Sequence, residues 1–245
     1  MLYRCAMVFA AHPDDEIMMA GTMAKMAAEG TRLVVVQMTD GCEGYPDAEM
    51  KDKIVEMRAR EADAANRVLG VARRYMLGRP DMALVNDKAT LQEVMAIIRQ
   101  ERPDAAFVQG RWMLHRDHVN TFDISIEALW HAGGPVCAAL GPSWATPEIY
   151  LYKDAPTGHE PFGVSVKGFG HKSFEALATQ ESQFTLFGQH FGVGSREEFA
   201  REIERLKREG GRDVEYFWVA RDVLAFDVLP ESSAHRLKDW SPVSA

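Results

Sequence analysis

The sequence is short of cysteine, of basic charge and of long apolar stretches. Its three cysteines, Cys5, Cys42 and Cys137, show no Cys-x-x-Cys spacing, which argues against a disulfide framework and against a cysteine zinc site. No run approaches the roughly 18 apolar residues needed to cross a bilayer. The apolar N-terminal stretch runs into His12-Pro13-Asp14-Asp15 with no cleavage-like site, so no signal peptide is expected and the cytoplasm is the expected location. Lys and Arg number 28 against 36 Asp and Glu. The resulting net charge of −8 argues against nucleic-acid binding, which needs a basic surface. No internal repeat or low-complexity segment is present, and no Gly-x-Gly-x-x-Gly follows the first apolar run, which weakens a dinucleotide reading.

What is there reads as one α/β domain, and 245 residues are enough to bury a core without staples. Apolar, β-branched runs at 4–10, 32–38, 72–77 and 104–109 alternate with helical spacing at 16–29, 48–69, 91–101 and 117–130. This order predicts a Rossmann-like, doubly wound, mostly parallel sheet with helices on both faces. The second half is less regular. Gly- and Pro-rich stretches at 132–147 and 154–170 are expected as loops around a site, with a strand at 148–152 between them. Helices are expected at 172–187 and 195–209, and a short apolar element at 214–217. One domain is expected over 1–230, with its core in 1–131 and loop-rich elements in 132–230, followed by a tail at 231–245.

Chemistry concentrates at two predicted strand ends. Ala11-His12-Pro13-Asp14-Asp15-Glu16 puts an imidazole and three carboxylates directly after a buried strand, where unpaired charge is expensive. His12 and Asp15, three apart across a strand-to-helix turn, can face one point, while Asp14 points elsewhere and is free to act as a base. A second cluster, His115-Arg116-Asp117-His118, follows the 104–109 run. Two histidines, one carboxylate and an open position suit catalytic zinc, which lowers the pKa of water toward about 7. Each cluster also has a plainer explanation. The carboxylates can favour a helix N-terminus, and the histidines can be a loop residue and a cap. Both clusters falling at strand ends of one sheet favours the metal.

These residues together resemble the PIG-L/LmbE superfamily of zinc-dependent de-N-acetylases. Further elements agree in order: Thr39-Asp40-Gly41, Arg58-x-x-Glu61, Gly78-Arg79-Pro80-Asp81, the helix from Lys172 to Ser182-Gln183, and Glu215-x-Phe217. The resemblance implies that His12, Asp15 and His118 hold one zinc ion per chain, with iron, cobalt or manganese able to occupy the same set. It implies Asp14 as general base, His115 as oxyanion stabiliser and proton donor, and Asp117 as the carboxylate that orients a histidine. Arg58 and Asp81 would grip the substrate, an N-acetylated amino sugar or its conjugate. It also admits a homo-oligomer, trimer or hexamer, with no nucleic-acid or membrane partner. Arg116 departs from the pattern, since the family has proline there. An amidase acting on a thiol or other conjugate is the alternative enzyme, and a non-catalytic sugar- or nucleotide-binding protein the alternative outside enzymes. Cys42, Glu43, His159, His171 and the tryptophans 112, 144 and 218 carry weaker signals, and Glu16 reads as a helix-start residue.

Overall fold

The Val- and Ala-rich runs form the middle of a seven-stranded sheet. The structure, a computed structural model, describes residues 1–112, 114–224 and 235–243. In chain order the strands are β1 (Cys5–Ala10), β2 (Arg32–Thr39), β3 (Val71–Arg79), β4 (Ala105–Gln109), β5 (Glu148–Tyr152), β6 (Phe162–Ser165) and β7 (Val214–Val219). Across the sheet they run β3-β2-β1-β4-β5-β7-β6. The first five are parallel, and β7 lies antiparallel between β5 and β6. The helices are α1 (Ala20–Ala28), α2 (Ile54–Leu69), α3 (Lys88–Glu101), α4 (Arg116–Gly133), α5 (His171–Ala178), α6 (Phe184–His190), α7 (Arg196–Arg208), α8 (Ala220–Val223) and α9 (Arg236–Trp240).

β1 shows why the sheet is covered on both sides. Ala6, Val8 and Ala10 face one core with Met19, Met23 and Met26 and with Phe174 and Phe199 of α5 and α7. Cys5, Met7 and Phe9 face the other, with Val94 and Ile98 of α3 and Ile124 and Leu129 of α4. Every residue of the strand is buried, as a parallel strand between two helical layers requires. The doubly wound expectation therefore holds.

Five expected elements differ in detail. The 16–29 helix begins as a 3-10 turn at Asp15–Met19 before α1, and the 48–69 helix begins as a 3-10 turn at Ala48–Lys53 before α2. The 172–187 helix breaks after Ala178 into a 3-10 turn and α6. The predicted loop at 154–170 contains β6, a four-residue edge strand whose Phe-Gly-Val-Ser is too short to show a period. The segment expected as a tail is docked where it is described. Leu237 of α9 is fully buried, and the Ser165 amide donates to the Ser241 carbonyl at 2.7 Å. The rest of 231–245 and the boundary at 230 lie outside the described residues.

One distant contact fixes how the first helix leaves the site. The Glu215 carboxylate of β7 accepts the amides of Gly21 and Thr22, each at 2.8 Å. These are free N–H groups in the first turn of α1, which has no side-chain cap of its own. Gly21 leaves room for the approach, because a Cβ there would lie 2.9 Å from Val166 Cβ and 3.1 Å from Glu215 Oε1. Glu215→Ala is expected to lower stability by roughly 2–4 kcal/mol, since it strands buried donors and removes a charge from a helix N-terminus. Urea unfolding measures this, and a loss below about 0.5 kcal/mol would show the cap to be dispensable.

Candidate metal and catalytic site

β1 and β4 are neighbours at the point where strand order reverses, and ligands in such sheets bind beyond that crevice. The segment after β1 supplies His12, Asp14 and Asp15. The segment after β4 and the first turn of α4 supply His115, Asp117 and His118. The loop after β3 adds Asp81.

His12 is the hub. Its Nδ1 lies 3.0 Å from His118 Nε2, and its Nε2 lies 3.0 Å from Asp81 Oδ1 and 3.5 Å from Asp117 Oδ2. Asp15 oxygens lie 3.4 Å from His118 Nε2 and 3.6 Å from His12 Nδ1. Asp15 Oδ2 also accepts the amides of Ala11 and His12, at 3.0 and 2.9 Å. Burial disfavours charge on His12, but hydrogen bonds to Asp117, Asp15 and Asp81 outweigh it and raise its pKa to about 11. Burial likewise acts on His118, and with Lys153 and the other imidazoles nearby its pKa falls to about 4. Burial alone would raise Asp15. Lys153 first, and then the two histidines, hold it well below the usual carboxylate range.

The donor set fits a divalent cation. The 3.0 Å between His12 Nδ1 and His118 Nε2, and the 3.4 and 3.6 Å from His118 Nε2 to Asp15 Oδ1 and from His12 Nδ1 to Asp15 Oδ2, are each of the order of the roughly 3.3 Å edge of a tetrahedron with ligands about 2.0–2.1 Å from a zinc centre, with the two contacts to Asp15 made by different oxygens. Asp81 at His12 Nε2 is the carboxylate partner that fixes the tautomer of a metal-binding imidazole. Among the described residues, two groupings bring one donor atom from each member within 4.8 Å of the others: His12, His115 and His118, and His12, Asp81, His115 and Asp117.

The remaining expected residues are placed as follows. His115 caps α4, its Nδ1 accepting the Asp117 amide at 3.3 Å, which leaves Nε2 as the donor nitrogen. Its ring stands edge-on to His12 at 4.7 Å. Asp117 faces His12 and accepts the Met82 amide at 2.6 Å. Arg116 takes the first helical position, where proline is also favoured, and donates to the Met82 carbonyl at 3.3 Å. The turn before His118 is thus kept.

Arg58 and Asp81, expected to grip substrate, are engaged otherwise. Asp81 is committed to His12. Arg58 is 3% exposed and donates to Asp14 Oδ2 at 2.8 Å. The 39–47 loop is built around that guanidinium: a Cβ on Gly44 would lie 2.2 Å from Arg58 Nη1, and one on Gly41 3.0 Å from its Nε. Gln183 Nε2 holds the Gly44 carbonyl at 2.6 Å, and Glu61 anchors Ser182 through its amide and hydroxyl at 2.6 and 2.7 Å. The Arg58-x-x-Glu61 and Ser182-Gln183 elements therefore form one scaffold that positions Asp14. Glu16 also does more than start a helix, since its buried carboxylate pairs with Arg74 of β3. Burial pushes the Cys42 thiol up, which disfavours a nucleophilic thiolate.

Sequence reasoning missed Lys153. It follows β5, carries a left-handed φ of 81°, and puts Nζ 2.9 Å from Asp15 Oδ1. A charged residue straight after the apolar run Ile149–Tyr152 was the available signal.

Comparison with known proteins agrees with this geometry. The profile of the PIG-L family, GlcNAc-PI de-N-acetylase, matches residues 7–129, and the chain belongs to that family. It is 28% identical over 184 residues to diacetylchitobiose deacetylase of Thermococcus kodakarensis, covering 71% of this chain and 67% of the relative. It is 32% identical over 170 residues to 1D-myo-inositol 2-acetamido-2-deoxy-alpha-D-glucopyranoside deacetylase 1 of Catenulispora acidiphila. That match spans 57% of this chain and only 53% of the relative's length. Among solved structures, N,N'-diacetylchitobiose deacetylase from Pyrococcus horikoshii superposes with a TM-score of 0.73 at 25% identity, covering 89% of this chain and 84% of the other. No helix among the described residues is long and apolar enough to cross a membrane.

Asp81→Ala is expected to weaken divalent metal binding by roughly 10–100-fold, because His12 loses the partner that fixes its orientation. Competition against a chelating dye measures this. Unchanged affinity would assign that orientation to Asp117 instead.

Proposed function

We propose that this protein is a zinc-dependent de-N-acetylase that hydrolyses the acetamide of an N-acetylated amino sugar or its conjugate to acetate and a free amine. The observation that carries the reading is the close approach of His12 Nδ1 and His118 Nε2, 3.0 Å apart, with one Asp15 oxygen 3.4 Å from the second and the other 3.6 Å from the first, while Asp14 pairs with Arg58 instead. Family membership supports it, as do relatives whose names describe deacetylation of diacetylchitobiose and of an acetamido-glucopyranoside.

His12, Asp15 and His118 would hold the zinc, which when bound would polarise the acetyl carbonyl and make water a better nucleophile. Asp14 takes the proton of the attacking water. Arg58 occupies one of its oxygens and so fixes the plane in which the other acts as base. As the carbon–nitrogen bond breaks, Asp14 passes the proton it took from water to the departing nitrogen, while His115 Nε2–H donates a hydrogen bond to the developing oxyanion. Its Nδ1 accepts the α4 amide, which fixes the edge the ring presents and leaves the neutral ring as hydrogen-bond donor rather than acid.

Asp14→Asn is expected to keep its zinc stoichiometry while turnover falls by roughly 10²–10⁴-fold, the range for loss of a general base. Metal analysis and acetate release on N-acetylglucosamine conjugates are measured together. Parallel loss of metal and activity would make Asp14 a ligand and overturn the assigned roles.

A further inference from the structure

The three consecutive carboxylates after β1 are each held by a cation from a different part of the chain. Asp14 pairs with Arg58 of α2 at 2.8 Å, and Asp15 with Lys153 after β5 at 2.9 Å. Glu16 pairs with Arg74 of β3, an outermost strand of the sheet. The first two pairs involve the base and the donor set. The third touches neither, and it is the most deeply buried: 0% of the Glu16 side chain and 3% of that of Arg74 are exposed.

Arg74 does not serve Glu16 alone. Its Nη1 donates to Gln37 Oε1 of β2 at 3.0 Å, and its Nε to Asn66 Oδ1 of α2 at 2.9 Å. Gln37 Nε2 in turn donates to the Thr39 carbonyl at 2.8 Å. The Thr39 hydroxyl and amide both donate to the Ala11 carbonyl, at 2.8 and 2.9 Å. One guanidinium thus reaches both ends of the segment that carries His12, Asp14 and Asp15: Glu16 directly, and Ala11 by way of β2. The 3-10 turn at Asp15–Met19 has no side-chain cap of its own. Asp15 Oδ2 accepts the Ala11 and His12 amides, but that side chain also faces the donor set. Glu16 is the anchor of the turn that is independent of the donor set.

Stability does not account for such a pair. Two ions taken out of water lose hydration, and their attraction offsets the loss only when the remaining donors and acceptors are satisfied. Glu16 Oε2 is buried with no hydrogen-bond partner among the described residues. Two apolar side chains of similar volume would fill this space with no loss of stability. They would lack direction, however. A planar guanidinium that donates to Glu16, Gln37 and Asn66 at once admits a single orientation of the carboxylate it holds.

We propose that Glu16 and Arg74 are positioning residues: the pair sets the roll of the 14–16 turn, so that Asp15 faces His12 and His118 while Asp14 faces Arg58. The proposal rests on the zinc-dependent de-N-acetylase reading for the use made of that orientation. Glu16→Gln, Arg74→Met and the double variant Glu16→Met/Arg74→Met are compared with the wild-type chain in three measurements. These are urea unfolding without metal, zinc competition against a chelating dye, and acetate release from the phenyl glycoside of N-acetylglucosamine at saturating zinc. The double variant is expected to unfold at or above the wild-type urea midpoint, because it leaves no lone buried charge, and Arg74→Met, which strands one, at a lower midpoint. Zinc affinity is nevertheless expected to fall roughly 10–100-fold in the double variant and in Glu16→Gln alike, the range for loss of a partner that orients a ligand. At saturating zinc, kcat is expected to fall about tenfold or more with KM within about twofold, since neither residue touches substrate. Wild-type zinc affinity and kcat in a stable double variant overturn the positioning role and leave the deacetylase reading intact. Zinc affinities that merely follow the urea midpoints across the three variants overturn it too. Zinc bound by the wild-type chain and weakened in the variants, with no acetate released by any, would keep the positioning role and overturn the reaction. A wild-type chain that binds no zinc overturns both.

Discussion

The site depends on which nitrogen of His12 faces which neighbour. Asp81 and Asp117 hold Nε2, so Nδ1 is turned toward His118 and Asp15. That orientation is set by three separate segments, after β1, β3 and β4, and only the reversal of strand order between β1 and β4 brings them to one point. A ring flipped about its long axis would give the same burial and a different site. The hydrogen bonds, rather than packing, therefore decide what chemistry the fold supports.

Much of this was legible in the sequence because its physical signals are local. A buried parallel strand reads as a continuous apolar run, and both histidine clusters begin within a few residues of such a run. The role of Arg58 was not legible. Its target, Asp14, is 44 residues away, and the loop that wraps it is recognised only when Gly41 and Gly44 prove too close to the guanidinium for any side chain. Asp81 is a similar case. The turn that presents it was visible, whereas its commitment to His12 depends on a register between β3 and β1 that composition does not encode. Lys153 and Glu215 act across 138 and more than 190 residues, on strands whose order in the sheet is not the order in the chain. The run at 214–217 was visible as a short apolar element and is the start of β7, whereas β6 escaped because a four-residue strand interrupted by glycine carries almost no period.

The same scaffold explains why stability and function are hard to separate here. Glu215 caps α1, the helix that follows the His12–Glu16 turn. Glu61 fixes Ser182, Gln183 fixes the 39–47 loop, and that loop encloses Arg58. Glu215 is matched to backbone amides, Glu61 to the amide and hydroxyl of Ser182, and Glu16 to Arg74, as buried charge requires. A substitution far from the reacting atoms thus reaches Asp14 or Asp15 through one or two hydrogen bonds.

Charge balance connects the donor set to the proposed zinc. Asp14, Asp15, Asp81 and Asp117 bring four carboxylates into a small volume, and Arg58 and Lys153 answer two of them. Without a metal the remaining excess is relieved only in part, by the proton that His12 keeps because Asp117, Asp15 and Asp81 raise its pKa to about 11 against the effect of burial. A dication in place of that proton would bring the group to neutrality, whereas a monovalent ion would leave it one charge short. A buried site with this composition is therefore electrostatically matched to a divalent ion. Two imidazoles beside one carboxylate then favour zinc over magnesium or calcium, which prefer oxygen donors.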